Sequence, residues 1–192
     1  MSSIINATTT NGLKLQPDNS GSLVLQTNNG TTALTIDTSQ NVTFAKGFTV
    51  GATAAPAFSA YANANQTISA STFTKVQINT KEFDTNSNYD NATNYRFTPT
   101  VAGYYQVNGA IRYDASTTPT RCIVSIYKNG AEFKRGNDLG NNSTEAIVSG
   151  LIYCNGSTDY IEFWTYISAV TAIIGTTGQS LVYFQASMVR SG

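Results

Sequence analysis

Ala57-Phe58-Ser59-Ala60, then Val76 and Ile78, Asn88-Tyr89-Asp90, Phe97-Thr98-Pro99 and Ala102-Gly103-Tyr104-Tyr105 set the character of the chain. Each piece is a short apolar or aromatic run, and Asn, Asp, Gly or Pro interrupts it before it could fill a helix, so the pieces read as strands and turns. The same texture continues through Ile123 to Tyr127, Ile147 to Tyr153, Tyr160 to Ile167 and Leu181 to Phe184, and helical periodicity is almost absent. The chain is therefore all-β, and residues 56–192 predict a head of about eight to ten strands. Several of these strands are apolar on both faces, whereas a lone antiparallel sandwich alternates apolar and polar residues. Such strands predict a second burial, either at a subunit interface or beneath long loops.

In the order of its pieces, this stretch resembles the globular head of complement subcomponent q, a jelly roll related to the tumour necrosis factor fold. The resemblance continues with Ile126-Tyr127-Lys128-Asn129-Gly130, Asp159 to Phe163 and Ser180 to Val189, roughly two thirds of the chain in all. Two places depart from it: Thr93-Asn94 stands where the family has Thr-Gly, and Phe184-Gln185-Ala186 replaces a Phe-Ser-Gly-like ending. The resemblance implies a homotrimeric jelly-roll head, with the second burial supplied by a three-fold interface. Tyr104, Tyr105, Tyr127, Phe163 and Tyr183 are then assigned to the core or that interface.

Upstream of the head, Leu13 to Gln16, Leu23 to Thr27, Ala33 to Asp37 and Val42 to Phe44 form four more strand-like runs, with Asn29-Gly30 favouring a tight hairpin. The pairs Leu13/Leu15, Leu23/Leu25 and Leu34/Ile36 sit two apart, which puts each strand's large aliphatics on one face. About forty residues of short strands cannot enclose a core alone. This segment, residues 1–55 with Ala52-Thr53-Ala54-Ala55-Pro56 closing its linker, is expected to trimerise, dock on the head or bind another protein. Leu13, Leu15, Leu23, Leu25, Leu34 and Ile36 are its assembly residues. The stretch Gly12 to Asp37 also resembles the N-terminal parts of tailed-bacteriophage virion proteins, which implies a particle context.

Composition narrows function further. The chain has no histidine, which excludes His-containing triads and His-ligated zinc. Cys122 and Cys154 are its two cysteines and form no C-X-X-C pair; both fall in apolar runs and read as buried small hydrophobes. Lys and Arg total 11, as do Asp and Glu, and the longest basic run is Lys134-Arg135, so no nucleic-acid contact is expected. No stretch approaches the ~20 apolar residues of a membrane span. Met1 to Asn6 lacks a basic and apolar leader, so the expected localisation is a virion assembled in the host cytoplasm.

Asp84-Thr85-Asn86-Ser87-Asn88-Tyr89-Asp90 spaces oxygen ligands like the start of a calcium loop. Tyr89 and Tyr95 stand where glycine and a closing Glu belong, so the favoured reading is a structural loop in which Asp90 caps backbone amides and Tyr89 packs beneath. No cofactor motif is present and the chain is read as non-enzymatic. Two functions fit: a trimeric capsid decoration or cement protein bound to a phage structural protein through its N-terminal segment, or a short tail fibre tip that recognises a host-surface glycan or protein.

Overall fold

Two units share the chain, Met1–Gly51 and Ala52–Gly192. The computed structural model describes residues 21–27, 30–45, 55–113, 119–140, 143–168, 171–174 and 180–192. Leu13 and Leu15, with the run Leu13 to Gln16, lie outside the described residues. Among the described residues no helix is long and apolar enough to cross a membrane.

The first unit is an antiparallel sheet in the order β1 (Leu23–Thr27), β2 (Thr31–Ile36), β3 (Val42–Phe44). Pairing of Thr27 with Thr31 closes β1 onto β2, and Gly30 adopts the positive φ of +84° that such a turn needs. Between β2 and β3 the Asp37 carboxylate accepts hydrogen bonds from the amides of Ser39 and Asn41 and from the Asn41 side chain, each at 2.9–3.0 Å. These bonds let Gln40 sit at φ 66° and turn the chain back on itself.

In the second unit, β10 (Ala102–Arg112), β13 (Glu145–Asn155), β16 (Tyr183–Ser191), β4 (Ala57–Tyr61) and β7 (Thr80–Asp84) form one sheet in the order β13-β10-β16-β4-β7. A second sheet runs β12 (Ala131–Gly140), β11 (Arg121–Lys128), β14 (Ile161–Ile167), β9 (Arg96–Phe97), β8 (Tyr89–Asp90), with β6 (Thr74–Lys75) also on β14. β5 (Gln66–Ser69) pairs with β15 (Thr171–Ile174). The described strands of this unit outnumber the eight to ten expected from sequence because pieces as short as Tyr89–Asp90 and Arg96–Phe97 pair across a turn.

The sheets enclose an aromatic core. Phe58 stacks on Tyr89 and Phe97 with ring centroids 4.4 and 4.7 Å apart, and Phe163 stacks on Phe184 at 5.6 Å. Tyr105, Val107, Ile126, Ile152 and Ile161 fill the space around them and are fully buried. Two glycines are demanded by close approach. A Cβ on Gly109 would stand 2.8 Å from the Phe163 ring, and one on Gly136 would stand 2.3 Å from the Ile147 carbonyl oxygen, where β12 crosses β13. The β11–β12 hairpin turns on Asn129 and Gly130, both at positive φ, 54° and 80°, the requirement of a two-residue primed turn.

Candidate functional site

Strand β13 shows how the site is built. Ala146, Val148, Ile152 and Cys154 point into the sandwich and are buried, while Ile147, Leu151 and Tyr153 point outward and are 61, 53 and 44% exposed. A soluble lone sandwich would place polar residues there. Register extends the apolar face across the sheet: Tyr104 on β10 pairs with Tyr153, their rings 5.4 Å apart, and Ala110 pairs with Ile147. Val189 on β16 and Phe83 on β7 are 57 and 52% exposed. Tyr104, Leu151, Tyr153, Val189 and Arg190 line an open pocket of about 670 Å³ at one end of this face.

Side-chain amides and a hydroxyl interrupt the apolar residues. Asn108 lies between Ser149 on β13 and Gln185 on β16. The Ser149 hydroxyl donates to Asn108 Oδ1 at 2.8 Å, and Gln106 Nε2 donates to Ser149 Oγ at 2.8 Å.

The first unit carries a second apolar face. Leu23 pairs with Ile36 and Ile36 with Val42; Leu25 pairs with Leu34 and Leu34 with Phe44, so all of these side chains project to one side of the sheet. Leu25 and Val42 are 45 and 52% exposed.

On the outward face of the sheet containing β11 and β14, Tyr127 stacks on Trp164 at 4.6 Å, and Phe73 packs against Tyr127 and Tyr166 at 6.0 and 5.4 Å. Arg135 bridges Glu132 and Asp138, and Arg121 clasps Asp138 with two hydrogen bonds of 2.7–2.8 Å. Lys75 pairs with Glu162 and lies over the Trp164 ring.

Of the residues assigned from sequence, Tyr105 and Phe163 are in the core, and Tyr104 and Tyr183 lie on the outward face of the five-stranded sheet. Tyr127 is half-buried in the aromatic cluster on the opposite side of the sandwich. Ile147 and Leu151 lie in the run Ile147 to Tyr153 that reads as apolar on both faces, whereas Phe83 and Val189 are not singled out from sequence. Phe83 stands between Glu82 and Asp84, and Val189 between Met188 and Arg190, so neither belongs to a long apolar run.

The Asp84–Asp90 loop is held as a structural turn. Asp84 accepts the amides of Asn88 and Tyr89 at 2.9 and 3.0 Å and the Lys81 ammonium at 2.9 Å. Asp90 accepts the amides of Thr93, Ala92 and Asn94 and the Asn94 side chain. Those bonds, led by the Thr93 and Ala92 amides, pull the Asp90 carboxyl down to about 2. Tyr89 is buried and donates to the Ile78 carbonyl at 2.9 Å. Asp159 likewise ties two loops together, accepting from Asn129 Nδ2 at 2.7 Å, the Asn155 amide at 3.0 Å and Lys128 at 2.9 Å. Among the described residues no group of three or more acidic or cysteine side chains converges to hold a metal. Cys122 and Cys154 are free and buried, and burial pushes both thiols up to about 11.

No protein-family model matches the sequence, and no curated protein is significantly similar to it. Solved structures are similar in fold. The globular domain of zebrafish complement 1qA protein aligns over 71% of this chain and 99% of its own, at 17% identity and a TM-score of 0.50. Murine APRIL aligns over 70% of this chain and 99% of its own, at 11% identity and a TM-score of 0.51. The head is a jelly roll of the complement 1q and tumour necrosis factor type. PRD1 vertex protein P5 aligns over 73% of this chain and 99% of its own, at 15% identity and a TM-score of 0.49.

Proposed function

We propose that the chain is a non-enzymatic, homotrimeric structural protein of a tailed-phage virion that decorates or cements the capsid. Its jelly-roll head associates through the outward face of the five-stranded sheet, and its N-terminal sheet anchors it to a capsid protein. One observation carries this reading: each unit leaves a large apolar sheet face in water, Ile147, Leu151 and Tyr153 on one, Leu25 and Val42 on the other. Two such faces supply two separate functions, self-association and attachment, and exposed apolar area of this kind marks interaction sites. Trimerisation multiplies the weak attachment of each N-terminal sheet into avidity. The phage context rests on the resemblance of Gly12 to Asp37 to virion proteins.

A second reading, a tail fibre tip, is favoured by the half-buried Phe73, Tyr127, Trp164 and Tyr166 beside Arg135 and Glu132, a mixture of rings and charges suited to a glycan or protein contact. Localisation on intact particles decides between them. Immunogold labelling or a low-resolution reconstruction should show the protein over the whole shell in many copies. A few copies confined to the tail make it an adhesin, and absence from particles removes the virion assignment.

A further inference from the structure

The apolar face of the five-stranded sheet is crossed by a row of polar side chains: Ser149, Asn108, Gln185 and Ser59 are cross-strand neighbours in that order, with Gln106 two residues before Asn108 on the same face. Their hydrogen bonds do not close among themselves. Asn108 Oδ1 accepts from Ser149 Oγ at 2.8 Å and from Gln106 Nε2 at 3.3 Å, and Ser149 Oγ accepts from Gln106 Nε2 at 2.8 Å. Both N–H bonds of Asn108 Nδ2, the Oε1 of Gln106 and the entire Gln185 amide have no protein partner among the described residues. Water serves them while the face is open. Any partner that buries the flanking Leu151, Tyr153 and Ile147 buries these amides too, and each one left unmatched weighs against that partner.

We infer that Gln106, Asn108 and Gln185 form the inter-subunit hydrogen bonds that restrict this face to a second copy of the same chain and fix the register of packing. The inference rests on the homotrimeric reading above. Where the rows of the subunits converge about a three-fold axis, each offers the next surplus donors at Asn108, a surplus acceptor at Gln106 and both at Gln185, and no formal charge repels an identical copy. A purely apolar partner strands all of these groups. Buried amides on an otherwise apolar seam fix register and oligomeric state in helical assemblies at some cost in stability, and a sheet face obeys the same physics. The row thus sets the choice of partner while the flanking aliphatic and aromatic residues supply the affinity.

Native mass spectrometry and analytical ultracentrifugation of the full chain over a dilution series test this. Wild type is expected as one trimeric species. Asn108→Ala deprives a neighbouring subunit's acceptors of their donor and should raise the concentration of half-dissociation by about tenfold. The triple variant Q106L/N108L/Q185L removes all the amides together and should associate at least as tightly as wild type, but as a mixture of stoichiometries. The inference is overturned if Asn108→Ala dissociates at the wild-type concentration, or if the triple variant is a single trimer. Should the triple variant aggregate, Asn108→Ala decides alone. A monomeric wild type overturns the homotrimeric reading and this inference with it, whereas a trimeric wild type with unaffected variants overturns the inference only.

Discussion

At the residue scale, single polar groups and single absent side chains hold the loops of the head in place. Asp90 gathers the amides of Ala92, Thr93 and Asn94 around one carboxylate. Asp90→Ala should cost about 0.5–2 kcal/mol, as the loss of a carboxylate cap on exposed amides does, read by urea unfolding at fixed protein concentration. The sign of the pH effect follows from the carboxyl lying at about 2 in the fold, below its ordinary value of about 3.9 when unfolded. Its contribution is complete above pH ~4 and is lost as pH falls towards 2. Asp90→Asn keeps one acceptor oxygen and cannot titrate, so its stability should fall less than that of wild type between pH 4 and 2. An identical acid limb in both proteins would remove Asp90 from the account. Gly136 works by absence: a methyl group there would meet the Ile147 carbonyl oxygen at 2.3 Å and Val148 Cβ at 2.6 Å. Gly136→Ala should destabilise the head by about 2–3 kcal/mol, since β12 must lift from β13, and Gly140→Ala, with its nearest neighbour at 3.4 Å, should be close to neutral.

At the element scale, legibility in sequence followed the local regularity of each strand. The strands of the N-terminal sheet were readable from their two-residue spacing, and pairing of Leu25 with Leu34 puts the large aliphatics on one face, as that spacing predicts. In β14 the alternation is masked because Ile161, Phe163 and Ile167 face the core while Trp164 and Tyr166 join an aromatic cluster outside it. Both faces of that strand are aromatic or aliphatic, so only the sheet order tells them apart. The same limit hid the surroundings of Tyr127, whose neighbours Trp164 and Phe73 come from distant parts of the chain. The amide row was invisible for a related reason: Asn108, Ser149 and Gln185 become neighbours only through cross-strand register. Attachment belongs to this scale as well. Leu25 is 45% exposed, so Leu25→Asp should leave the three-stranded sheet folded while placing a charge in the buried anchor. Virions produced with that variant should lose the protein, as read by immunoblot of purified particles, while its soluble form remains trimeric. Normal incorporation would separate the N-terminal sheet from attachment.

At the scale of the whole molecule, the two sides of β13 make opposite demands on the same strand. Val148 and Leu151 stand three residues apart, and one belongs to the monomer's core while the other faces out of it. Val148 is 3% exposed, so Val148→Asp buries a charge in the hydrophobic core cluster and should unfold the head outright. Leu151 is 53% exposed in the single chain, and Leu151→Asp should leave the isolated head folded with an unchanged circular dichroism spectrum. In a trimer that packs through this face, however, the same aspartate is buried once per subunit beside two identical charges, which costs several kcal/mol for each ion. Sedimentation at micromolar concentration should then show a folded monomer for Leu151→Asp and a trimer for wild type. The loss of avidity should strip the variant from particles even though its N-terminal sheet is intact. A Leu151→Asp protein that still sediments as a trimer would move the interface to another surface, with the aromatic cluster around Trp164 the next face to probe by the same substitution.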